Sequence, residues 1–182
     1  MACLSLEEVI KECGAAGIMG GADDLLVMSF NDADALGVDG KIYAMTAGIV
    51  SEIGRKTTKK FVKISMPPET GGLNEALTKN IQNGSSYFTQ TLTLVLQKLN
   101  VDNRDFILSV IDQPIVAIVR TPNGKYFAAG LSGRLQLTTA DGGTGIAAGD
   151  LQGRTLTFTG NEDSPFPEVD AALIADLLLP AP

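Results

Sequence analysis

The chain has 182 residues, 45% of them hydrophobic and 19% charged, with a net charge of −7, which suits one globular domain, alone or with short arms. It has no His, and its only cysteines are Cys3 and Cys13, which excludes a Ser-His-Asp or Cys-His nucleophile pair and the usual His/Cys zinc sites. The acidic balance disfavours tight nucleic-acid binding, which rests on Lys and Arg neutralising phosphates, although an acidic wall lets a phosphate backbone slide past.

In chain order, the first expected element is a short N-terminal helix over 6–13. Ser5 and Glu8 form a capping box, Leu4 and Val9 a hydrophobic staple, and Leu6, Val9, Ile10 and Cys13 recur at helical spacing. Cys13 then reads as a small buried hydrophobe rather than half of a bridge to Cys3. Glu7 and Glu8 stand where a secretory signal would carry Lys or Arg. No apolar run reaches the roughly 18 residues of a membrane span, so synthesis and retention in a cytoplasm is the expectation.

Beyond the glycines at 14–21, residues 24–30 are apolar on both faces, as in a buried strand. Short strands are expected at 42–46 and 49–53 around Ala47 and Gly48. A further strand is expected at 59–66, which Pro67 and Pro68 stop or confine to an edge. Residues 73–81 and 86–98 flank Asn83-Gly84, a strong hairpin signal, so Leu73 and Leu77 fall on one long arm of that hairpin. In the second arm Phe88, Leu92, Leu94 and Leu96 share a face with Gln90 as the exception. Tyr87, Thr89, Thr91, Thr93 and Gln97 share the other, with Val95 as the intruder.

A helix over about 102–113 follows, capped by Asp102, with Val101 stapled onto Phe106. The pairs Phe106–Val110 and Ile107–Ile111 form its packed stripe, and Pro114 marks its exit. Strands are then expected at 115–120, 125–129, 133–139 and 154–159, with a turn at Pro122-Asn123-Gly124 and a glycine-rich loop over 141–153. A weakly helical stretch over 169–179 is expected to dock on the same or a neighbouring subunit. The fold class is thus mainly β, an antiparallel sandwich or barrel with one packed helix. Its expected divisions are an arm at 1–22, the β domain at 23–164 and a C-terminal arm at 165–182.

Each motif has a plain structural reading. The segment GGTGIAAGD (142–150) lacks the Gly-Lys-Ser/Thr of a P-loop and is followed by a strand, so it reads as a hairpin loop with glycine torsions. The threonine stripe reads as the solvated face of an amphipathic strand, with a subunit or lumen surface as its rival. Arg55, Lys56, Lys59 and Lys60 are the only basic cluster, too small for a nucleic-acid site and read as answering acids on a neighbour.

The ordered set NGSSYFTQTLTLVLQKL, IVAIVRTPNGKYFAAG, GGTGIAAGDLQGRTLTFTG and NEDSPFP, after a glycine-rich stretch and an apolar strand, resembles the major tail tube proteins of tailed bacteriophages and prophages over most of 13–166. That resemblance implies a structural virion protein and not an enzyme, with no cofactor and no metal. It implies homo-hexameric rings that stack into a conduit for DNA ejection, lined by a sheet from every subunit. Its implied partners are further copies of the chain, tape-measure, terminator and baseplate proteins, and DNA passing without specific binding; its implied place is the virion tail. Thr89, Thr91 and Thr93 would then face the lumen. Leu73, Leu77, Asn83 and Gly84 would belong to a hairpin between subunits, since long one-sided arms leave edges that ring closure removes. The alternatives are a head–tail joining or tail-terminator ring protein, and a ligand-binding or enzymatic β-sandwich with Asp141, Asp150 and Glu162 clustered in loops.

Overall fold

In a computed structural model, residues 20–36, 39–67, 69–147 and 149–181 are described. The expected N-terminal helix, with Cys3 and Cys13, lies outside them. Among the described residues eleven strands form two sheets. The larger has seven strands: β1 (Asp24–Ser29), β2 (Tyr43–Thr46), β3 (Ile49–Ile53), β4 (Val62–Ser65), β7 (Ile115–Arg120), β8 (Tyr126–Ala129) and β11 (Glu168–Val169), in the order β2-β3-β11-β8-β7-β1-β4. The smaller has four, in the order β5-β6-β10-β9: β5 (Gly72–Asn80), β6 (Ser85–Gln97), β10 (Gly153–Glu162) and β9 (Gln136–Gly143). The expected β-sandwich with a packed helix is the architecture observed.

Residues of β1 and β7 are apolar in succession because both faces of these strands are covered. Leu25, Val27, Ile115, Ala117 and Val119 face Leu92, Leu94, Leu96, Leu156 and Phe158 of the smaller sheet. From the other face, Leu26, Met28, Val116 and Ile118 join a second core with Val50, Ile53, Phe61, Val169, Ile174 and Leu177. The helix α1 (Val101–Val110) lays Phe106, Ile107 and Val110 against the first core. Ile111, expected in that stripe, is exposed at the helix C-terminus.

The start of α1 differs from expectation. Asn100, not Asp102, is the N-cap, its side chain accepting from Asn103 N at 3.0 Å. Asn caps as well as Asp, and two residues further on Asp102 sits in the first turn, where a carboxylate meets the positive end of the helix dipole. The Asn103 amide in turn donates to Gln97 O and Lys98 O, tying the helix to the end of β6.

The two hairpins differ in turn length, two residues between the strands expected at 42–46 and 49–53 and four between those flanking Asn83-Gly84. Ala47-Gly48 is the two-residue turn, both residues at positive φ (52° and 83°), between the paired Thr46 and Ile49. Asn83-Gly84 lies in a four-residue loop instead, since Asn80 and Ser85 are the last pair. Asn80 Oδ1 accepts from Gln82 N and Asn83 N, and Asn83 Oδ1 from Ser85 N and Oγ, so side chains complete a wider loop.

The stretch 165–181 supplies two elements of the domain. β11 runs parallel to β3 and antiparallel to β8, and α2 (Ala171–Leu177) buries Ile174 and Leu177 in this chain's own second core. Asp170 caps α2 by accepting from Ala172 N at 2.9 Å.

A charge cluster ties the larger sheet's open side together. Asp24 Oδ2 lies 2.9 Å from Lys63 Nζ on β4 and 3.5 Å from Arg120 Nη1 on β7. Burial pushes the Asp24 carboxyl up, but the Lys63 hydrogen bond and charge, the Ser65 hydroxyl and Arg120 outweigh it and hold the pKa below 3.8. A depressed folded pKa contributes stability that is complete above the unfolded value and lost as pH falls through the folded one. Thermal melts from pH 7 to 2 are therefore expected to show wild type above Asp24→Asn at neutral pH and converging with it in the acid range. Parallel curves would exclude this linkage.

Candidate functional site

The smaller sheet separates its residues cleanly by face. Along β6 burial alternates, with Gln90, Leu92, Leu94 and Leu96 buried and the threonines between them half-buried. The rows across the sheet extend this division. On the outer face Gly72, Thr93, Thr157 and Thr139 lie side by side; Asn74, Thr91 and Thr159 form the next row, and Ala76, Thr89 and Asn161 the third. Thr89 Oγ1 donates to Asn161 Oδ1 at 3.0 Å, binding two strands through their side chains. The threonine stripe seen along one strand is thus the middle of a two-dimensional hydroxyl and amide surface. These rows, with Val95, Thr155 and Asp141 beyond them, contain no Lys or Arg and one carboxylate.

The inner face explains the exception at Gln90. It is 2% exposed, and its Oε1 accepts from the N–H of Gly130 at 3.1 Å. That loop N–H would otherwise be an orphaned buried donor, so an amide among leucines costs less than the hydrogen bond it supplies. Opposite Gln90 on β10 stands Gly160, where a Cβ would lie 2.8 Å from backbone atoms of Arg134 and Leu135. One row further, Glu162 is buried and accepts from the backbone N–H and hydroxyl of Ser132. Glu75 Oε2 accepts from Phe166 N at 2.8 Å. These contacts seal the end of the core with loops, and the hairpin runs on past them.

Past that seal the β5–β6 hairpin is open on both sides. Leu73 is half-buried against the core opposite Leu92, but Leu77 is 57% and Ile81 87% exposed. Asn83 and Gly84 sit in its exposed loop, Gly84 at φ 70°. Of the residues singled out in the sequence, Thr89, Thr91 and Thr93 therefore share one surface. Leu77, Asn83 and Gly84 share the projecting hairpin, while Leu73 belongs to the core. The sequence signal for the wider surface was present in the alternation of Thr155, Thr157 and Thr159, but only the register aligns it with β6.

Two other expectations are corrected. Asp141, Asp150 and Glu162 do not cluster. Asp141 lies in β9 opposite Thr155, Asp150 in the β9–β10 loop, and Glu162 at the far end of β10. Asp150 Oδ2 accepts from Ile146 N and Ala147 N, both at 2.8 Å; the Ala147 and then the Ile146 hydrogen bond hold its carboxyl below the ordinary value, marking a turn lock. Among the described residues no group of three or more His, Cys, Asp or Glu is placed to hold a metal ion. The basic cluster answers acids of its own chain: Arg55 pairs with Asp176 at 2.6 Å and Lys59 with Asp32 at 3.0 Å, while Lys56 donates to Asn31 O. Folding brings 31–32 and 176 beside this stretch, which no local pattern announces.

The described chain is thus a two-sheet β-sandwich whose distinguishing surface is an extended hydroxyl and amide sheet face, bordered at Asn161 by the Arg134–Asp163 pair and continued by a projecting hairpin. Comparison with protein-family models, curated proteins and solved structures found no match. No helix among the described residues is long and apolar enough to cross a membrane.

Proposed function

We propose that this chain is a structural subunit that closes edge to edge into rings, and that the rings stack as the tail tube of a tailed bacteriophage. The observation that carries the reading is the pair of edges on the smaller sheet. Among the described residues β5 and β9 each have one unpaired side, nine and eight residues long; neither contains proline, β5 carries two charges, Glu75 and Lys79, and β9 one irregularity, leaving most of both edges able to pair. A monomer ordinarily guards such edges against pairing with another chain.

Their directions also suit closure. The four strands are successively antiparallel, so β5 and β9 run oppositely. Rotation about a ring axis along the strands preserves each strand's direction. It therefore brings β5 of one copy against β9 of the next in antiparallel pairing, the same ladder found inside the subunit. Closing the circle in this way removes both edges of the smaller sheet.

The outer face then lines one side of the closed wall. Thr89, Thr91 and Thr93 present hydroxyls there among asparagines and further threonines, with Asp141 beyond one end of these rows and the Arg134–Asp163 pair beside Asn161 at the other. The threonine rows carry no Lys or Arg, and the one cation beside them, Arg134, is paired with Asp163, so there is little grip on phosphates and duplex DNA passes rather than binds. Tape-measure, terminator and baseplate proteins are the partners this reading assigns to the ends and lumen of the tube, and the virion tail is its location. Negative-stain microscopy of the purified full chain at increasing concentration is expected to show rings and tubes. A chain that sediments as a monomer throughout, and stays monomeric beside its tail partners, would overturn the reading.

A further inference from the structure

The smaller sheet ends in two exposed apolar tips that differ in charge. At the Ser85 end of β6 the hairpin presents Leu77 and Ile81, and the one charged side chain over 76–88 is Lys79. At the other end Gly143 and Gly153 pair beside Gln97, and the loop they enclose presents Ile146, exposed on all sides at 104%, and Leu151 at 46%. The loop over 144–152 carries Asp150, with Asp141 before it on β9 and Arg154 paired to Gly142 at the strand ends.

Neither tip is loose decoration. Asp150 holds the turn beneath Ile146 through two backbone N–H groups, and Asn80 and Asn83 hold the turn that carries Ile81. Ile81 and Ile146 are thus held in water beside hydrogen-bonded turns, an arrangement that burial against a partner relieves. The length of β6 separates the tips by roughly 40 Å at the usual rise per residue. One molecule cannot bring them together; a second copy displaced along the strand direction can. Because the patches differ, one basic and one acidic, the contact is head-to-tail and propagates without closing.

We infer that the Leu77–Lys79–Ile81 tip of one copy docks on the Ile146–Asp150–Leu151 loop of a second copy, displaced along the strands. This deepens the tube reading and rests on it: β5–β9 pairing joins subunits within a ring, and the tip-to-loop contact joins ring to ring. Lys79 meets the acidic loop, and Ile81 and Ile146 leave water together.

The two contacts are separable by experiment. Ile81→Asp and Ile146→Asp alter exposed loop side chains, so each variant is expected to retain the wild-type melting temperature. In the full chain each is expected to form rings that do not elongate, while wild type forms tubes. In a Cys3→Ser, Cys13→Ser background, Ile81→Cys with Ile146→Cys is expected to give an oxidised ladder of dimers, trimers and longer chains on a denaturing gel. Either single cysteine variant stops at dimers. Tubes of wild-type length from either aspartate variant, or an assembled double-cysteine sample without a ladder, would overturn the axial contact and leave the ring reading standing. A wild-type chain that remains monomeric overturns both.

Discussion

Phe158→Ala is expected to lower the free energy of unfolding by about 3–5 kcal/mol, the range for removing a fully buried aromatic ring. Phe158 has no exposed surface and lies in the core between the two sheets with Leu92, Leu94, Leu156 and Leu135. Its strand pairs on both sides, with Leu92 of β6 and Leu137 of β9, and the β9 register shifts between Thr157 and Phe158. The irregularity puts one extra residue, Thr138, in β9 beside this fully buried ring, and in a close-packed core a cavity there is filled only in part by its neighbours. A domain of this size is commonly stable by about 5–15 kcal/mol, so the variant gives up a large part of the total. Urea unfolding measures this directly. A midpoint shift worth less than about 1 kcal/mol would show that the smaller sheet adjusts independently of the larger.

Arg55→Ala is expected to cost about 2–3 kcal/mol, and Arg55→Lys most of that amount. The side chain of Arg55 is 5% exposed, and its Nη1 donates to the carbonyls of Asp176, Leu177 and Leu179 while Nη2 meets the Asp176 carboxylate. Those carbonyls belong to the last turn of α2 and the residues after it, where Arg55 adds to the hydrogen bonds that Leu179 N gives Asp176 O and Phe61 N gives Leu177 O. A cation at that end also complements the helix dipole. A planar guanidinium reaches carbonyls and carboxylate together, whereas a lysine ammonium is a point donor on a flexible stem. Hydrogen exchange is expected to show protection lost first at 169–181. This segment also joins 58–61 through Thr58 N to Ala181 O and Phe61 N to Leu177 O. Uniform loss of protection across both sheets would instead make Arg55 part of the global unfolding unit.

The placement of Arg55 shows where sequence reasoning stopped. Four cations within 55–60 announce a charged stretch, but a list of residues does not say whose acids meet it. Here the acids and carbonyls come from 31–32 and 176–179, brought in by the turn after β1 and by α2. β11 was similarly hidden: two residues have no period, and Val169 finds Val50 across more than a hundred positions only after both join the second core. The helix cap slipped by two residues because Asn100 and Asp102 are both competent caps. The Asn103 contacts to the end of β6 favour the earlier one.

The candidate surface was half legible. The alternation of β6 identified Thr89, Thr91 and Thr93 as one face, because the two-residue period of a strand translates directly into sidedness. It did not reveal that Thr155, Thr157 and Thr159 stand beside them, since register between strands depends on the whole core. Nor did it explain Gln90, whose partner Gly130 is forty residues away.

By itself, then, the sequence determined the local alphabet of this protein: a mainly β chain, the long hairpin around Asn83-Gly84, the packed helix before Pro114, and the polar side of β6. Periodicity, turn chemistry and proline act over a few residues and need no partner to be read. Only the tertiary structure decided which strands share a sheet, that β1 and β7 are covered on both faces, and that the hairpin outruns its core. It also decided that the two edges of the smaller sheet run in opposite directions. Those features arise when distant apolar segments bury one another and every buried polar group must find a donor or acceptor, a condition that the chain satisfies only as a whole.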